Sequence, residues 1–244
     1  MSSKIQLEIA TFTLEGALIA EKAGANRIEL CENPNDGGTT PSFGTLKSVR
    51  SLISIPVFPI IRPRGGNFVY SSYEIEVIKQ DIICCKELGY TGIVVGVLTS
   101  IGDIDFKLLN EFVQLASPME VTFHRAFDRC KKPSHALEQI IETGCTRILT
   151  SGQYPSVVNG IPLLKKLIAQ ANHRISIMPG SGVNSQNIAM LHDSLQAKEY
   201  HTAARIKMVH TDIVSPETMN EQLSYVSVDA IEVEAIRTVL NSME

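Results

Sequence analysis

Two glutamates, two histidines, three arginines and one cysteine occupy positions where apolar, β-rich runs give way to loops. Glu8 lies in the run at 5–10, Glu29 and Cys31 close the run at 27–31, and Arg62 and Arg64 follow the run at 56–61. His124 and Arg125 follow the run at 120–123, and His201 sits inside the one at 199–204. A carboxylate and an imidazole together can move protons near neutral pH when burial tunes them. Paired arginines can grip a carboxylate or phosphate with a planar fork of donors. Glu8 and Glu29 have a plainer reading as interior carboxylates paired with arginine, and each histidine has one as a satisfied core residue. Pro63, between the two arginines, restrains the backbone, and Gly65-Gly66 permits a tight turn or close ligand approach. Gly180-Ser181-Gly182 closes the run at 174–178 and precedes a helical stretch, so it reads either as a tight turn or as a phosphate cradle.

The elements that carry these residues alternate regularly. Strands are expected at 5–10, 27–31, 56–61, 92–98, 120–123, 147–150, 174–178 and 199–204. Amphipathic helical stretches separate them at 14–23, from 41 onward, 73–88, 103–116, 134–142, 161–171 and 185–194, with a last helix at 229–242. Strict βα order implies parallel strands joined by helical crossovers. An open doubly wound sheet can alternate in the same way. Eight short units without a switch point favour a closed (β/α)₈ barrel, a single domain over 1–244. The polar stretch 205–227 is the one candidate for flexibility. In a barrel the functional groups gather at the C-terminal ends of the strands, which is where the residues above fall.

Composition narrows the class. The 244 residues carry 22 Lys and Arg against 26 Asp and Glu, and no block of like charge. That balance argues against a nucleic-acid partner or a polybasic membrane surface. No apolar run reaches the ~18 residues of a membrane span, and the start lacks a signal-peptide pattern. The five cysteines, Cys31, Cys84, Cys85, Cys130 and Cys145, follow no disulfide or zinc spacing. They fit a reducing, cytoplasmic setting.

Several of these segments, taken together, resemble the CutC family, named for copper homeostasis. They are Arg27-Ile28-Glu29-Leu30-Cys31, the stretch 37–42, the stretch 61–70, and Val121-Thr122-Phe123-His124-Arg125-Ala126-Phe127-Asp128. Ile148-Leu149-Thr150-Ser151-Gly152 and Met178-Pro179-Gly180-Ser181-Gly182 complete the match, which spans most of residues 5–205 in order. The resemblance implies a (β/α)₈ barrel, a cytoplasmic homo-oligomer and a role in copper handling. In animal members the proposed Cu(I) ligands are a Cys two residues after the first-strand Glu and the Cys ending the second strand. The second maps to Cys31. The first maps to Ala10, which has no donor atom, so one thiolate of the pair is missing and a His or Met must help. Two functions therefore stand side by side. One is a copper homeostasis protein that binds Cu(I) through Cys31. The other is a barrel enzyme acting on a small anionic or phosphorylated substrate, with Glu29 or His124 in proton transfer and Glu8, Arg125 and His201 as further catalytic candidates. Arg62, Arg64 and the 180–182 loop would form its anion site.

Overall fold

The computed structural model describes residues 4–209, 218–219 and 223–244. Eight parallel strands form the wall of a barrel. They are β1 (Gln6–Thr11), β2 (Arg27–Leu30), β3 (Val57–Pro59), β4 (Gly92–Val95), β5 (Glu120–Phe123), β6 (Arg147–Thr150), β7 (Ser176–Pro179) and β8 (Glu199–Thr202). Two four-stranded arcs, β3-β2-β1-β8 and β4-β5-β6-β7, make up the wall. The arcs meet where Ile60 bridges Val94 in parallel and the Ile61 N–H donates to the Val94 carbonyl at 2.7 Å. On the other side β7 and β8 run alongside each other. The expected (β/α)₈ barrel is what the chain forms.

Helices α1 (Leu14–Lys22), α2 (Phe43–Leu52), α3 (Ser72–Glu87), α4 (Phe106–Ala116), α5 (Pro133–Thr143), α6 (Ile161–Ala171), α7 (Ile188–Leu195) and α8 (Ala230–Asn241) follow the strands around the outside. Local chemistry sets their starts. Ser71 and Glu74 form a reciprocal capping box on α3, and Asp229 accepts from two N–H groups at the start of α8. Gly144 ends α5 in the left-handed conformation.

The strands are buried on both faces, and the two faces differ in chemistry. Outward side chains such as Leu7, Ile9, Ile28, Leu30, Ile93, Val121, Phe123, Ile148 and Tyr200 join the helices in one large apolar core. Each such side chain contributes roughly 1.5–3 kcal/mol. Alternation along the strand turns Glu8, Arg27, Glu29, Thr122, His124, Arg147 and His201 inward. A small apolar cluster of Cys31, Phe58, Ile60 and Val94 shares the interior with them.

Element ends differ from the sequence expectation by a few residues. Strand β3 stops at Pro59, with Ile60 continuing only as an isolated bridge to Val94, and β4 stops at Val95. Helix α7 starts at Ile188, since the side chains of Asn184 and Asn187 hold the preceding residues in a turn. The polar stretch 205–227, read as a candidate for flexibility, has ordered ends. Residues Arg205–Val209 (β9) and Ser224–Val228 (β10) pair antiparallel. Positions 210–217 and 220–222 of that stretch lie outside the described residues.

Candidate functional site

A cavity of about 660 Å³ opens at the C-terminal ends of the strands. Glu29, Cys31, Arg62, His124, Arg125, Ser181, Gly182 and His201 all line it, so most of the residues singled out in the sequence converge. Glu8 lies one step beneath. Gly180 and Arg64 are not in the lining. The Gly180 N–H donates to the Thr150 carbonyl at 3.0 Å, and the absent Cβ leaves room for Leu149 and His201.

The floor is a chain of buried ionic contacts. Arg27 on β2 pairs with Glu8 on β1 and reaches Glu199 on β8 at 2.5 Å. Arg147 on β6 holds the same Glu199 oxygen at 2.9 Å and Glu120 at 2.9 Å. The two guanidinium groups lie over the Phe58 ring, at 5.2 Å and 5.3 Å from its centroid. Above this floor, His201 Nδ1 is 2.7 Å from Glu8 Oε1, and His201 Nε2 is 3.8 Å from Glu29 Oε2. The Cys31 thiol donates to the same Glu29 oxygen at 3.5 Å.

Charge state follows from these contacts. Burial alone would raise the Glu8 pKa, but Arg27 and His201 outweigh it and hold the carboxyl well below the usual range. Burial raises Glu29, and the nearby Glu8 charge adds to that against the pull of His201. Burial opposes a charged His201, yet the hydrogen bond to Glu8 and the charge of Glu29 raise its pKa. Burial, then Glu29, push the Cys31 thiol well above its ordinary value. His124 goes the other way: burial, then the Arg62 charge, lower its pKa to about 3.

The arginines divide by partner. Arg62 is buried and donates to the carbonyls of Asp36 at 2.6 Å, Gly38 at 2.9 Å and Gly66 at 2.9 Å. It ties the loop after β2 to the loop after β3, and its guanidinium stacks over Phe68 at 4.9 Å. Arg64 pairs with Glu74 at 2.5 Å, outside the cavity. Arg125 bonds Asp128 at 2.8 Å and Ser151 at 2.9 Å. Arg205, at the start of β9, also lines the cavity. Its guanidinium lies 4.6 Å over the Phe12 ring and donates to the Pro34 carbonyl at 3.2 Å. Among the described residues no carboxylate stands at ion-pair distance from it.

Beside the 181–182 turn the lining is acidic as well as open. Asp229 and Glu232 line the cavity, and Glu232 accepts from the Ser185 N–H at 2.6 Å and its hydroxyl at 2.8 Å. Ser181 and Gly182 both have positive φ, at 78° and 85°. The Ser181 hydroxyl donates to the Pro155 carbonyl at 2.8 Å.

The donor set does not fit a resident copper ion. Among the described residues no three His, Cys, Asp or Glu side chains converge as metal ligands. Ala10 offers no thiol on β1, Cys31 holds its proton, and Met178 sulfur accepts from Arg27 at 3.3 Å. No helix among the described residues is long and apolar enough to cross a membrane.

Arg27, Arg147 and Glu199 are participants outside the sequence candidates, and Arg205 stood among the polar residues at the strand ends without an assigned role. The first three lie at the N-terminal ends of their strands, where a charge looks solvent-facing until the barrel closes. Arg205 was visible just beyond the eighth strand, but its cavity-facing position depends on the β9–β10 pair.

Residues 5–206 match the model of the CutC family. A family protein CutC from Erwinia tasmaniensis is 44% identical over 242 residues, covering 96% of both chains. The human copper homeostasis protein cutC homolog is 46% identical over 199 residues, covering 82% of this chain and 73% of that one. The crystal structure of CutC from Streptococcus agalactiae superposes with a TM-score of 0.78 at 34% identity, covering 82% of this chain and 98% of that chain.

Proposed function

The chain belongs to the CutC family of copper homeostasis proteins, and on that premise we propose that its barrel mouth is an acid–base catalytic site for a small anionic substrate. One observation carries this reading. Glu29 and His201 face each other at 3.8 Å above the ionic floor of the cavity, and Glu8 fixes the imidazole from behind. A carboxylate raised by burial beside an imidazole raised by two carboxylates can act as a proton-transfer pair. A merely structural ion pair has no need of a cavity above it. Arg205 supplies the positive charge for the substrate's anionic group, since both terminal nitrogens of Arg62 are held by carbonyls, leaving only its buried Nε unpaired, and Arg64 is held by Glu74. The reading includes a cytoplasmic homo-oligomer, in line with the family resemblance.

The test is a thermal-shift screen of small phosphorylated and carboxylate metabolites against the wild type, Glu29→Gln and Arg205→Gln. A true substrate stabilises the wild type and Glu29→Gln, loses its effect in Arg205→Gln, and is turned over by the wild type alone. A screen in which no anion stabilises the protein, or in which Arg205→Gln responds like the wild type, counts against the site.

Cys31 supports a second reading, Cu(I) binding, because it is a thiol in the lining of the same cavity. Copper would arrive as cargo and displace the thiol proton, with one thiolate in place of two. An anaerobic Cu(I) titration against a competing chelator decides it. Near-stoichiometric binding lost in Cys31→Ala supports the reading, and binding indifferent to that substitution removes it.

A further inference from the structure

His124 closes β5 and enters the turn Arg125–Arg129. Its Nδ1 accepts the Ala126 N–H at 3.2 Å, so that nitrogen carries no proton. The proton of the neutral ring is therefore on Nε2. That donor is buried and has no hydrogen-bond partner among the described residues, although His124 lines the cavity. An unpaired buried donor is costly, and native structures keep one where a ligand, an ion or ordered water satisfies it or where it serves catalysis. The ring is also held in place. Phe68 packs on it at 4.9 Å between centroids, and Gly96 leaves the space that a Cβ would take, 2.4 Å from ring atoms of His124.

From this geometry we infer that the substrate places a carbonyl oxygen on His124 Nε2–H and that the reaction is proton transfer at the carbon beside that carbonyl. The inference rests on the acid–base reading above and names its substrate class. A carbonyl oxygen is an acceptor with no proton of its own, so it matches a lone donor. It is also the atom on which negative charge develops when the neighbouring C–H is deprotonated. The step balances without an oxidant or reductant. Glu29 takes the proton, the C–H electron pair forms a carbon–carbon double bond, and the carbonyl π pair moves onto oxygen. His124 holds that oxygen and keeps its own proton. Return of the proton from Glu29 to that same carbon re-forms the C–H bond and the carbonyl, so atoms and electrons balance. A neutral imidazole suits the task, because burial and the Arg62 charge keep His124 uncharged well below neutral pH. Arg205, in the same lining, takes the substrate's anionic group.

The probe is oxalate, a planar dianion that mimics the enolate of a 2-oxo acid, compared with sulfate, which has the same charge but a tetrahedral shape. The full chain, labelled with ¹⁵N-histidine in metal-free buffer, is titrated with each. Oxalate is expected to move the His124 Nε2–H signal downfield and to bind at least ~10-fold more tightly than sulfate. His124→Gln, which keeps an N–H donor, should hold that preference. His124→Phe should abolish it without changing sulfate affinity. Equal affinity for both anions with an unmoved His124 signal overturns the carbonyl inference while leaving an anion-binding acid–base site. Failure of both anions to bind removes the acid–base reading as well. The wild-type spectra alone decide the matter if either variant does not fold.

Discussion

His201 presents Nδ1 to Glu8 Oε1 at 2.7 Å, and this single contact orients Nε2 toward Glu29, 3.8 Å away. Neighbouring strands make the arrangement rigid, because Glu8 and His201 are register partners across β1 and β8. Removing the Glu8 charge should therefore lower the His201 pKa. Glu8→Gln is expected to shift the His201 titration to lower pH in ¹H–¹⁵N spectra. An unchanged titration would show that Glu8 does not control the ring.

The same pair gives the stability a pH signature. Glu8 is depressed below its ordinary 4.5, so its contribution is present above that value and is lost as pH falls through the folded pKa. His201 is raised above its ordinary 6.5, so its contribution is complete below that value and fades as pH rises through the folded pKa. Denaturant midpoints measured across pH should fall on both flanks. The acid flank should flatten in Glu8→Gln.

Glu29 should behave in the opposite way. Its pKa is raised, so its ionised form is held at a cost, and Glu29→Gln should leave the protein as stable as wild type or more so near pH 7. Turnover of any substrate found by the anion screen should drop by ~10²–10⁴-fold, the usual loss for a general base. A large loss of stability with no specific loss of turnover would make Glu29 a structural residue.

Cutting the buried ionic floor should be expensive. Glu199 accepts from both Arg27 and Arg147, and all three side chains are largely buried. Glu199→Ala leaves Arg27 with Glu8 and Arg147 with Glu120 as remaining carboxylate partners, and should cost on the order of 1–3 kcal/mol in chemical denaturation.

How far the sequence reveals this site depends on how each residue is brought there. Glu29, Cys31, His124 and His201 were legible because strand alternation and the barrel rule fix where they point. Arg62 and Arg64 looked equivalent, two residues apart around Pro63. Only the folded loops separate them, one turned inward onto three carbonyls and the other outward onto Glu74. The floor was hidden for a different reason. Arg27, Arg147 and Glu199 are 120 and 52 residues apart in sequence, and barrel closure alone brings them onto Phe58 and one another.

Gly96 offers the sharpest check on His124. A Cβ at this position would stand 2.4 Å from the imidazole, on the ring edge that carries Nδ1. Gly96 has no positive φ, so a substitution there adds volume without backbone strain. Gly96→Ala must push the ring away, lengthen the Ala126 N–H contact and misplace Nε2–H. Overpacking of this kind costs roughly 1–3 kcal/mol in a packed interior. The expected outcome is a modestly destabilised protein with a displaced His124 signal and unchanged Glu8–His201 coupling, since those residues lie on other strands. If the His124 signal stays where it is in Gly96→Ala, the ring is not held in the slot described, and its Nε2–H is not fixed for a ligand.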